Sequence, residues 1–403
     1  MNIPAARERL LTGRFVLVVA CGLAYFMALA MLTPVIPHYV EDELGLGKAA
    51  VGVAVGAFAF GAIALRPFAG RIGDRMGRRV LIVGGALIVA TSTAMYGLVD
   101  ALWWLITIRV VTGIGEAAFF VGAATMITDL SPPDRRGEAV SYWSVAVYGG
   151  LAFGPALGEA VRGDDRYTLA WLVSAGLALV AALLGLATRE VARATSDRPS
   201  KLINRAAVLP GFVLFLGLIP LAGFSAFMPL YADEQLGIGA GPIFLLYGVL
   251  ILAVRILGAR IPDRLGGRRS GSIALALASA GIAIIAIWAS VGGLIVGTVV
   301  FAIGMSLLYP ALLLLALQSA SDADRASVVA TVSSFFDLSQ GVGAFICGAV
   351  AAATGNRGAF ATGAVACVAG LVVLRTAGGA IRRSGSQPGE ALAAEVPAQM
   401  THE

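Results

Sequence analysis

Charge is scarce in this sequence, and lysine and histidine are nearly missing. Only 13% of the 403 residues are charged, while 58% are hydrophobic. A soluble domain usually carries about 25% charged residues, so we expect lipid, rather than water, to surround much of the chain. Arginine supplies nearly all of the positive charge, because lysine occurs only at Lys48 and Lys201. This bias is typical of a GC-rich bacterial genome.

Groups for metal binding or catalysis are also few. The chain has two histidines, His38 and His402, and its three cysteines (Cys21, Cys347 and Cys367) lie in apolar segments without CxxC spacing. There is no Walker loop, HExxH helix or nucleophile triad in the sequence. We therefore expect no metal site, no cofactor and no enzymatic activity, and an ion gradient is the expected energy source.

The net charge of +5 and the pI near 9.3 do not indicate nucleic-acid binding. The basic residues lie in short loops between apolar runs and form no extended basic face. Their expected partner is the anionic cytoplasmic leaflet of a membrane.

Apolar runs long enough to cross a bilayer recur along the chain. A helix needs roughly 20 apolar residues to cross the hydrocarbon core, and twelve segments reach this length. The first follows three arginines, is too long for a signal-peptide core and lacks a convincing cleavage site, so we expect an uncleaved helix. The predicted spans are 15–37, 49–69, 80–99, 101–125, 139–160, 168–188, 208–231, 242–262, 271–289, 292–317, 326–353 and 358–376.

The placement of Lys and Arg predicts the orientation of these spans. With a cytoplasmic N-terminus, the cytoplasmic loops and tails, counted with the adjoining span ends, hold 22 of the 29 basic residues, and the outer loops hold four. Both termini are therefore expected in the cytoplasm of a bacterium, with the spans in its plasma (inner) membrane.

The chain repeats itself at an offset of 189–192 residues. Four features recur in register, which indicates duplication of a six-helix unit whose copies insert the same way up. The matching features are 37–45 with 229–237, 70–79 with 259–269, Arg66 with Arg255, and 134–135 with 324–325. We predict an all-α membrane protein of twelve transmembrane helices, in which two parallel-repeat six-helix bundles surround a central cavity. The predicted parts are an N-terminal bundle (1–188), a cytoplasmic linker (189–207), a C-terminal bundle (208–376) and a disordered cytoplasmic tail (377–403).

The loop between the second and third spans combines glycines with charged residues. Its glycines permit a tight turn. Its aspartate is placed near the start of the third helix, where the helix dipole favours an anion. Its arginines suit phosphate headgroups or acidic partners. The residues concerned are Gly70, Gly73, Asp74, Arg75, Gly77 and Arg78.

This loop resembles the signature of the major facilitator superfamily. A degenerate copy, with Asp263 and Arg264, lies where that family repeats the signature. The resemblance covers about residues 15–376 and implies a transporter, in which the position matching Asp74 helps to lock the cytoplasmic gate. The alternative is that the loop serves only as a headgroup anchor and topology signal.

Two charges share one face of the fourth span. Arg109 and Glu116 are seven residues apart, about two helical turns. A charge inside a span costs roughly 2.5–3.5 kcal/mol on insertion scales and usually faces a cavity or a partner. Arg109 matches the family's fourth-helix motif, whose arginine is implicated in proton coupling in drug exporters, and Glu116 is a candidate for proton exchange. The alternative is that both charges only satisfy neighbouring helices.

The fifth span resembles the family's antiporter motif, which is associated with exporters more than with importers. Small residues permit close helix approach, and a proline bends the helix. The motif residues are Gly150, Gly154, Pro155 and Gly158. The match is incomplete, because Ser141 and Glu159 stand where glycines are expected. Ordinary helix packing is the alternative role for these glycines.

Further candidates lie deep in other spans. Asp337 is the deep acid of the C-terminal half and is either a proton carrier or a hydrogen-bonded structural acid. Arg66 and Arg255 lie one to two turns before their loops, and we expect them to snorkel to the cytoplasmic surface as structural residues. The candidate cavity residues are Tyr25, Phe119, Tyr142, Tyr148, Phe335 and Gln340.

These features predict a secondary active transporter that exports a small lipophilic or natural-product-like compound by proton-coupled alternating access. Glu116, Asp337 and Arg109 are the predicted coupling residues, since withdrawal of a carboxylate from water favours its protonated form. The alternatives are a proton-coupled importer of a small metabolite or sugar and a non-transporting membrane receptor. The expected partners are a small-molecule substrate, protons and membrane lipid, with no nucleic acid, and the chain is expected to act as a monomer.

Overall fold

The computed structural model describes residues 10–132, 135–163, 166–188, 204–258, 261–318 and 325–384, with residues 137, 263, 325–326 and 377–384 described by their backbone alone. The regular structure in these ranges is helical throughout. The helices are α1 (Gly13–Ala30), α2 (Leu32–His38), α3 (Lys48–Met76), α4 (Arg78–Met95), α5 (Leu102–Asp129), α6 (Arg136–Arg162), α7 (Tyr167–Ala187), α8 (Arg205–Leu236), α9 (Gly241–Leu257), α10 (Ile261–Leu265), α11 (Gly267–Ile287), α12 (Val291–Gln318), α13 (Arg325–Thr354) and α14 (Asn356–Ser384).

Helices occupy all twelve positions at which spans are predicted. Among the described residues, ten helical segments are long and apolar enough to cross a membrane. Helix α9 is apolar but only 17 residues long, and α6 is 27 residues long with serine, tyrosine and glycine residues that lower its hydropathy. The chain is therefore a multi-pass helical protein, while the number of twelve spans stays a prediction.

Several predicted boundaries differ from the structure, and α3 reaches Met76 although its span is predicted to end at 69. The first span is predicted to end at 37, but α1, α2 and a π-helical turn (Tyr39–Glu43) form one apolar helical stretch from Gly13 to Glu43. Helix α14 continues to Ser384, past the predicted start of the tail at 377. Most of the predicted linker (189–203) and the tail beyond 384 lie outside the described residues.

The connections of the bundle gather at two ends, which differ in charge. We call the end with Glu41, Asp42 and Glu234 the acidic end, and the opposite end, with Arg71, Arg78 and the start of α11, the basic end. We call α1–α7 the N half and α8–α14 the C half.

The two halves meet along a seam formed by α3 with α13, α6 with α9, and α2 with α8. Towards the acidic end the seam is tight, because small residues bring the backbones together. A Cβ atom on Gly52 would lie 2.8 Å from the Cα of Gly348, and one on Gly248 would overlap Ala152. The halves are therefore closed against each other on this side.

Candidate functional site

A buried ion triad joins the two halves at the seam. The Nε of Arg66 on α3 lies 2.7 Å from Oδ2 of Asp337 on α13, and its Nη2 lies 3.2 Å from Oε2 of Glu116 on α5. The side chain of Arg66 is 17% exposed, that of Glu116 11% and that of Asp337 8%. The expectation that Arg66 snorkels to the surface is wrong, because its guanidinium turns inward to two carboxylates.

Glycines position the helices that carry the triad. Gly61 on α3 lies against the Val110 carbonyl, and Gly113 on α5 lies against the Phe58 carbonyl, so α3 and α5 cross in backbone contact. Gly56 on α3 likewise meets α13 at Gly341, about one turn from Asp337. A larger side chain at these crossings would hold the helices apart and separate the charges.

The charge of the triad does not balance when both acids are ionised. One guanidinium, which stays protonated in proteins, faces two carboxylates, so the sum is −1. The ring of Phe120, 5.3 Å from the guanidinium carbon of Arg66, covers another side of the cation. Unbalanced charge is costly away from water, and one proton shared by the two acids would neutralise the triad.

Arg109 bonds to the backbone of α3, although it shares a helix face with Glu116. Its Nε donates to the carbonyl of Ala54 (3.0 Å), its Nη2 donates to the carbonyl of Val55 (3.1 Å), and its guanidinium lies over the ring of Phe58. Arg109 thus fastens α5 to the backbone of α3, and its predicted role in proton coupling stays a prediction.

A second arginine meets the opposite half at the equivalent place. The guanidinium carbon of Arg255 on α9 lies 3.9 Å from the ring centroid of Tyr148 on α6. Arg66 and Arg255 are 189 positions apart in the sequence, and so are Tyr148 and Asp337. The same offset thus relates two contacts across the seam, one with a carboxylate and one with an aromatic ring.

The other predicted cavity residues are distributed between core and surface. Tyr25 and Phe119 are fully buried and stack with ring centroids 3.6 Å apart. Tyr142 is exposed and meets Phe15 edge to face. The ring of Phe335 packs on Gly211 of α8. Gln340 is half-buried one turn from Asp337, and its Nε2 has no hydrogen-bond partner in the described part of the chain. Their role in substrate binding stays a prediction.

The antiporter-like motif forms one row of glycines on α6 that faces α1. A Cβ on Gly150 would lie 2.6 Å from the Cβ of Phe26, and one on Gly154 would lie 2.6 Å from the Cβ of Ala30. A Cβ on Gly158 would overlap the carbonyl of Met31, where α1 ends and α2 begins. With Pro155 inside the helix, the motif sets the packing of α6 against the interrupted first span.

The signature loop is a sharp turn at the basic end. Gly77 joins α3 to α4 at φ 103°, and Gly266 precedes α11 at φ 79°. Asp74 lies in the last turn of α3, not at the start of the next helix as expected, and its Oδ1 is 2.7 Å from Nη1 of Arg78. Arg78 also lies 3.6 Å from Asp129 at the end of α5.

The other predicted gating residues of the two loops make fewer contacts than Asp74 and Arg78. Gly73 packs on Leu81, whereas a Cβ on Gly70 would meet nothing within 4 Å among the described residues. Arg75 and Arg264 are exposed. The side chain of Asp263 lies outside the described residues.

A polar cluster at the acidic end also joins the halves, and no sequence motif predicts it. Nζ of Lys48 on α3 lies 3.0 Å from Oε1 of Glu234 on α8, whose other oxygen accepts from Nδ2 of Asn356 at 3.0 Å. Beside it, the hydroxyl of Tyr167 donates to Asp42 at 2.7 Å. The opposite charges of Lys48 and Glu234 are visible in the sequence, but only the fold brings these two residues together.

The fold and the buried charges define a multi-pass membrane protein whose two halves meet at an ionisable seam. Comparison with known proteins gives the family: the chain matches the Major Facilitator Superfamily over residues 18–292 and 243–396, and it belongs to that superfamily of transporters. An uncharacterized MFS-type transporter of Salmonella typhimurium is 28% identical over 360 residues, which cover 87% of this chain and 92% of that protein.

Solved structures share the fold. A bacterial homolog of the human lysosomal transporter Spinster, in an inward-facing and occupied conformation, has a TM-score of 0.74 at 18% identity over 95% of this chain and 98% of that one. The nucleoside transporter NupG has a TM-score of 0.75 at 13% identity over 90% of this chain and 99% of that one.

Proposed function

We propose that the protein is a proton-coupled secondary transporter that exports a small lipophilic or natural-product-like compound by alternating access. The observation that carries this proposal is the triad of Arg66, Glu116 and Asp337, because it places ionisable groups of both halves in one buried ion pair. A receptor without transport activity would need such a pair for packing alone, and apolar residues of similar volume often serve as well there.

The triad supplies a way for a proton to alter the seam. When Asp337 is ionised, Arg66 holds it and the halves stay together beside the closed acidic end. When Asp337 takes a proton, the attraction across the seam weakens, while Glu116 keeps Arg66 neutralised within the N half. Protonation therefore favours separation of the halves at the triad, and deprotonation favours the paired arrangement seen here.

Export is the favoured direction, and the antiporter-like motif supports it. The glycine row Gly150, Gly154 and Gly158, with Pro155, resembles in part the family's antiporter motif, which is associated with exporters more than with importers. Proton-coupled import is the second candidate. Arg255 favours it, because an anionic ligand on that cation would promote proton uptake by the neighbouring acids, and proton and ligand would then move together.

The position of the basic end supports the proposed topology. Arginines concentrate at this end, which would face the cytoplasm of a bacterium, with both termini on that side and the acidic end outside. The predicted N-terminal bundle (1–188) and C-terminal bundle (208–376) would rock about the seam as two parallel repeats, and the shared 189-residue offset of the two cross-seam contacts supports this division. A monomer suffices for this mechanism, with lipid around it.

Proteoliposomes with an imposed pH gradient test the coupling. Purified protein and the Glu116→Gln and Asp337→Asn variants would be reconstituted with a pH-sensitive dye inside, and proton flux recorded on addition of lipophilic cations, neutral compounds and organic acids. We expect compound-dependent proton flux with the wild-type protein and at least a tenfold loss in each variant. Unchanged flux in both variants would reject the coupling role.

Asp100→Asn is the matched control for this experiment. Asp100 is exposed at the acidic end, so the substitution removes the same charge away from the triad and is expected to leave flux unchanged. If no compound class produces proton flux or gradient-driven accumulation with the wild-type protein, the proposal of proton coupling itself fails.

A further inference from the structure

We propose that Arg255 forms an anion subsite at the seam and that it binds the carboxylate of an amphipathic organic acid. This inference rests on the proposed function only in taking the ligand as the transported compound. It assigns a charge, and therefore a chemical class, to the substrate, whichever direction the substrate moves.

Arg255 differs from the other two arginines inside the spans in its partners. Arg66 has two carboxylates, and Arg109 donates to two backbone carbonyls. Within the part of the chain that the structure describes, Arg255 lies against Tyr148, whose ring faces its guanidinium and whose hydroxyl is within hydrogen-bond reach, and the buried Nε of Arg255 has no hydrogen-bond partner.

A ring face satisfies only part of a guanidinium. The π-system attracts the positive charge from one side of the guanidinium plane, whereas the five N–H donors point outward within that plane. The Nε donor of Arg255, which has no partner among the described residues, is therefore available to an acceptor that enters the seam. A carboxylate matches this fork with two parallel hydrogen bonds, and such charge-assisted bonds are about twice as strong as neutral ones.

The surroundings suit the rest of an amphipathic acid. Tyr247 lies within electrostatic range of both Arg255 and Tyr148, so a second tyrosine side chain lies near the cation. Tyr247 in turn stacks on Phe301, with ring centroids 5.6 Å apart, and packs against Phe224 at 5.1 Å. Aromatic surface beside a polar group is the usual make-up of a small-molecule site.

The position of Arg255 places this subsite in the transport path. Its partner Tyr148 belongs to the opposite half, as Asp337 does for Arg66, so a ligand on Arg255 contacts both halves. Tyr309 lies within electrostatic range of both Arg66 and Tyr148, which links the anion subsite to the triad. A ligand here would sense whether the acids of the triad are ionised.

Binding of three probes with one ring system and different charges tests the inference. The protein would be placed in phosphatidylcholine nanodiscs, without any gradient, and the dissociation constants of 2-naphthoate, 2-naphthamide and 2-naphthylmethylammonium measured by equilibrium dialysis. We expect naphthoate to bind at least tenfold more tightly than the other two. Equal binding of the three probes, or tighter binding of the ammonium, overturns the anion subsite.

Variants of Arg255 test whether the preference for naphthoate over the other two probes depends on this residue. Arg255→Gln should lower naphthoate binding to the level of naphthamide and leave naphthamide unchanged. Arg255→Lys keeps the positive charge but loses the two parallel donors of the guanidinium. Its affinity for naphthoate should therefore lie between those of the wild type and Arg255→Gln. The control Arg375→Gln changes the same charge at an exposed site on α14 and should bind as the wild type does. Naphthoate selectivity that survives Arg255→Gln overturns the assignment.

Two further comparisons distinguish a bound lipid headgroup from a substrate, and failure of the anion subsite from failure of proton coupling. If phosphatidylglycerol in the nanodisc displaces naphthoate at a few mole per cent, a lipid headgroup is the occupant and the substrate assignment fails. Because binding is measured without a gradient, naphthoate selectivity combined with absent proton flux would reject the coupling mechanism and retain the anion subsite. If Arg255→Gln does not fold, as judged by its thermal unfolding, the naphthoate affinity of Arg255→Lys decides the test, and an affinity equal to that of the wild type overturns the assignment.

Discussion

Arg66 is the residue on which both the stability of the seam and its response to protons depend. It faces Glu116 and Asp337 from within a buried site. Removing one partner of a buried ion pair usually costs about 3–5 kcal/mol, whereas replacing the whole group with neutral residues is often tolerated. The same three residues thus allow structure and function to be tested separately.

Arg66→Gln is expected to lower the unfolding temperature in detergent by several degrees, because two buried carboxylates lose their cation. The triple variant Arg66→Gln, Glu116→Gln, Asp337→Asn should recover most of that loss, since no charge is left to neutralise. Both proteins should lack compound-dependent proton flux. If the triple variant is no more stable than Arg66→Gln alone, the charge argument fails and packing explains the effect.

Gly77 provides a second test at the scale of one residue. Its φ of 103° with ψ of 153° lies in a region that is essentially restricted to glycine. Gly77→Ala should therefore destabilise the protein by about 1–3 kcal/mol, measured by thermal unfolding. Gly70→Ala, in the same loop but with open space around it, should stay within about 0.5 kcal/mol of the wild type. Equal effects would mean that the turn is not strained.

At the scale of elements, the pair α1–α6 shows how a motif acts through packing. Gly158 contacts the backbone of α1 at Met31, where α1 gives way to α2. A methyl group there meets a carbonyl rather than a flexible side chain. The glycines of the antiporter-like row therefore hold α6 against the interrupted first span, whichever direction the substrate moves.

Gly158→Ala should force α6 away from α1 and reduce both the unfolding temperature and the transport rate. Gly149→Ala is the matched control, because its Cβ would meet only the end of the Leu23 side chain at 3.3 Å, which is able to move aside. Thermal unfolding and initial transport rates measure both effects. A Gly158→Ala protein that unfolds like the Gly149→Ala protein would contradict close packing at this crossing.

Helix positions were accessible from the sequence because hydropathy reports burial in lipid segment by segment. Turns such as Gly77 were also accessible, since glycine and charge mark them locally. Pairings between distant segments were not. Arg66 precedes a loop, which suggests a snorkelling side chain, yet Asp337 comes from a helix 271 positions later, and nothing local reveals it. The contact of Lys48 with Glu234 was hidden for the same reason.

At the scale of the whole molecule, the closed acidic end can be followed with introduced cysteines. The native Cys21, Cys347 and Cys367 are all buried, so they should react slowly with a membrane-impermeant maleimide. Ala59 on α3 is 3% exposed and lies against Gly341 across the seam. A cysteine at this position reports whether the halves have separated.

Ala59→Cys should label slowly in the otherwise wild-type protein and several-fold faster when combined with Asp337→Asn, because the cross-seam ion pair is lost. Leu98→Cys, at a position that is 79% exposed near the acidic end, should label rapidly with or without Asp337→Asn. The measurement is the labelling rate in intact vesicles. Equal Ala59→Cys rates in both backgrounds would show that Asp337 does not hold the halves together.

The triad and Arg255 together have an electrical consequence. Two guanidinium groups and two ionised carboxylates sum to zero, so the empty carrier has no net charge at these positions. In proton-coupled import, the second candidate function, a carrier that holds one proton and one monovalent organic anion sums to zero as well. Its reorientation would then move no charge through the bilayer. The transport rate should therefore not change with the membrane potential, which potassium and valinomycin can set.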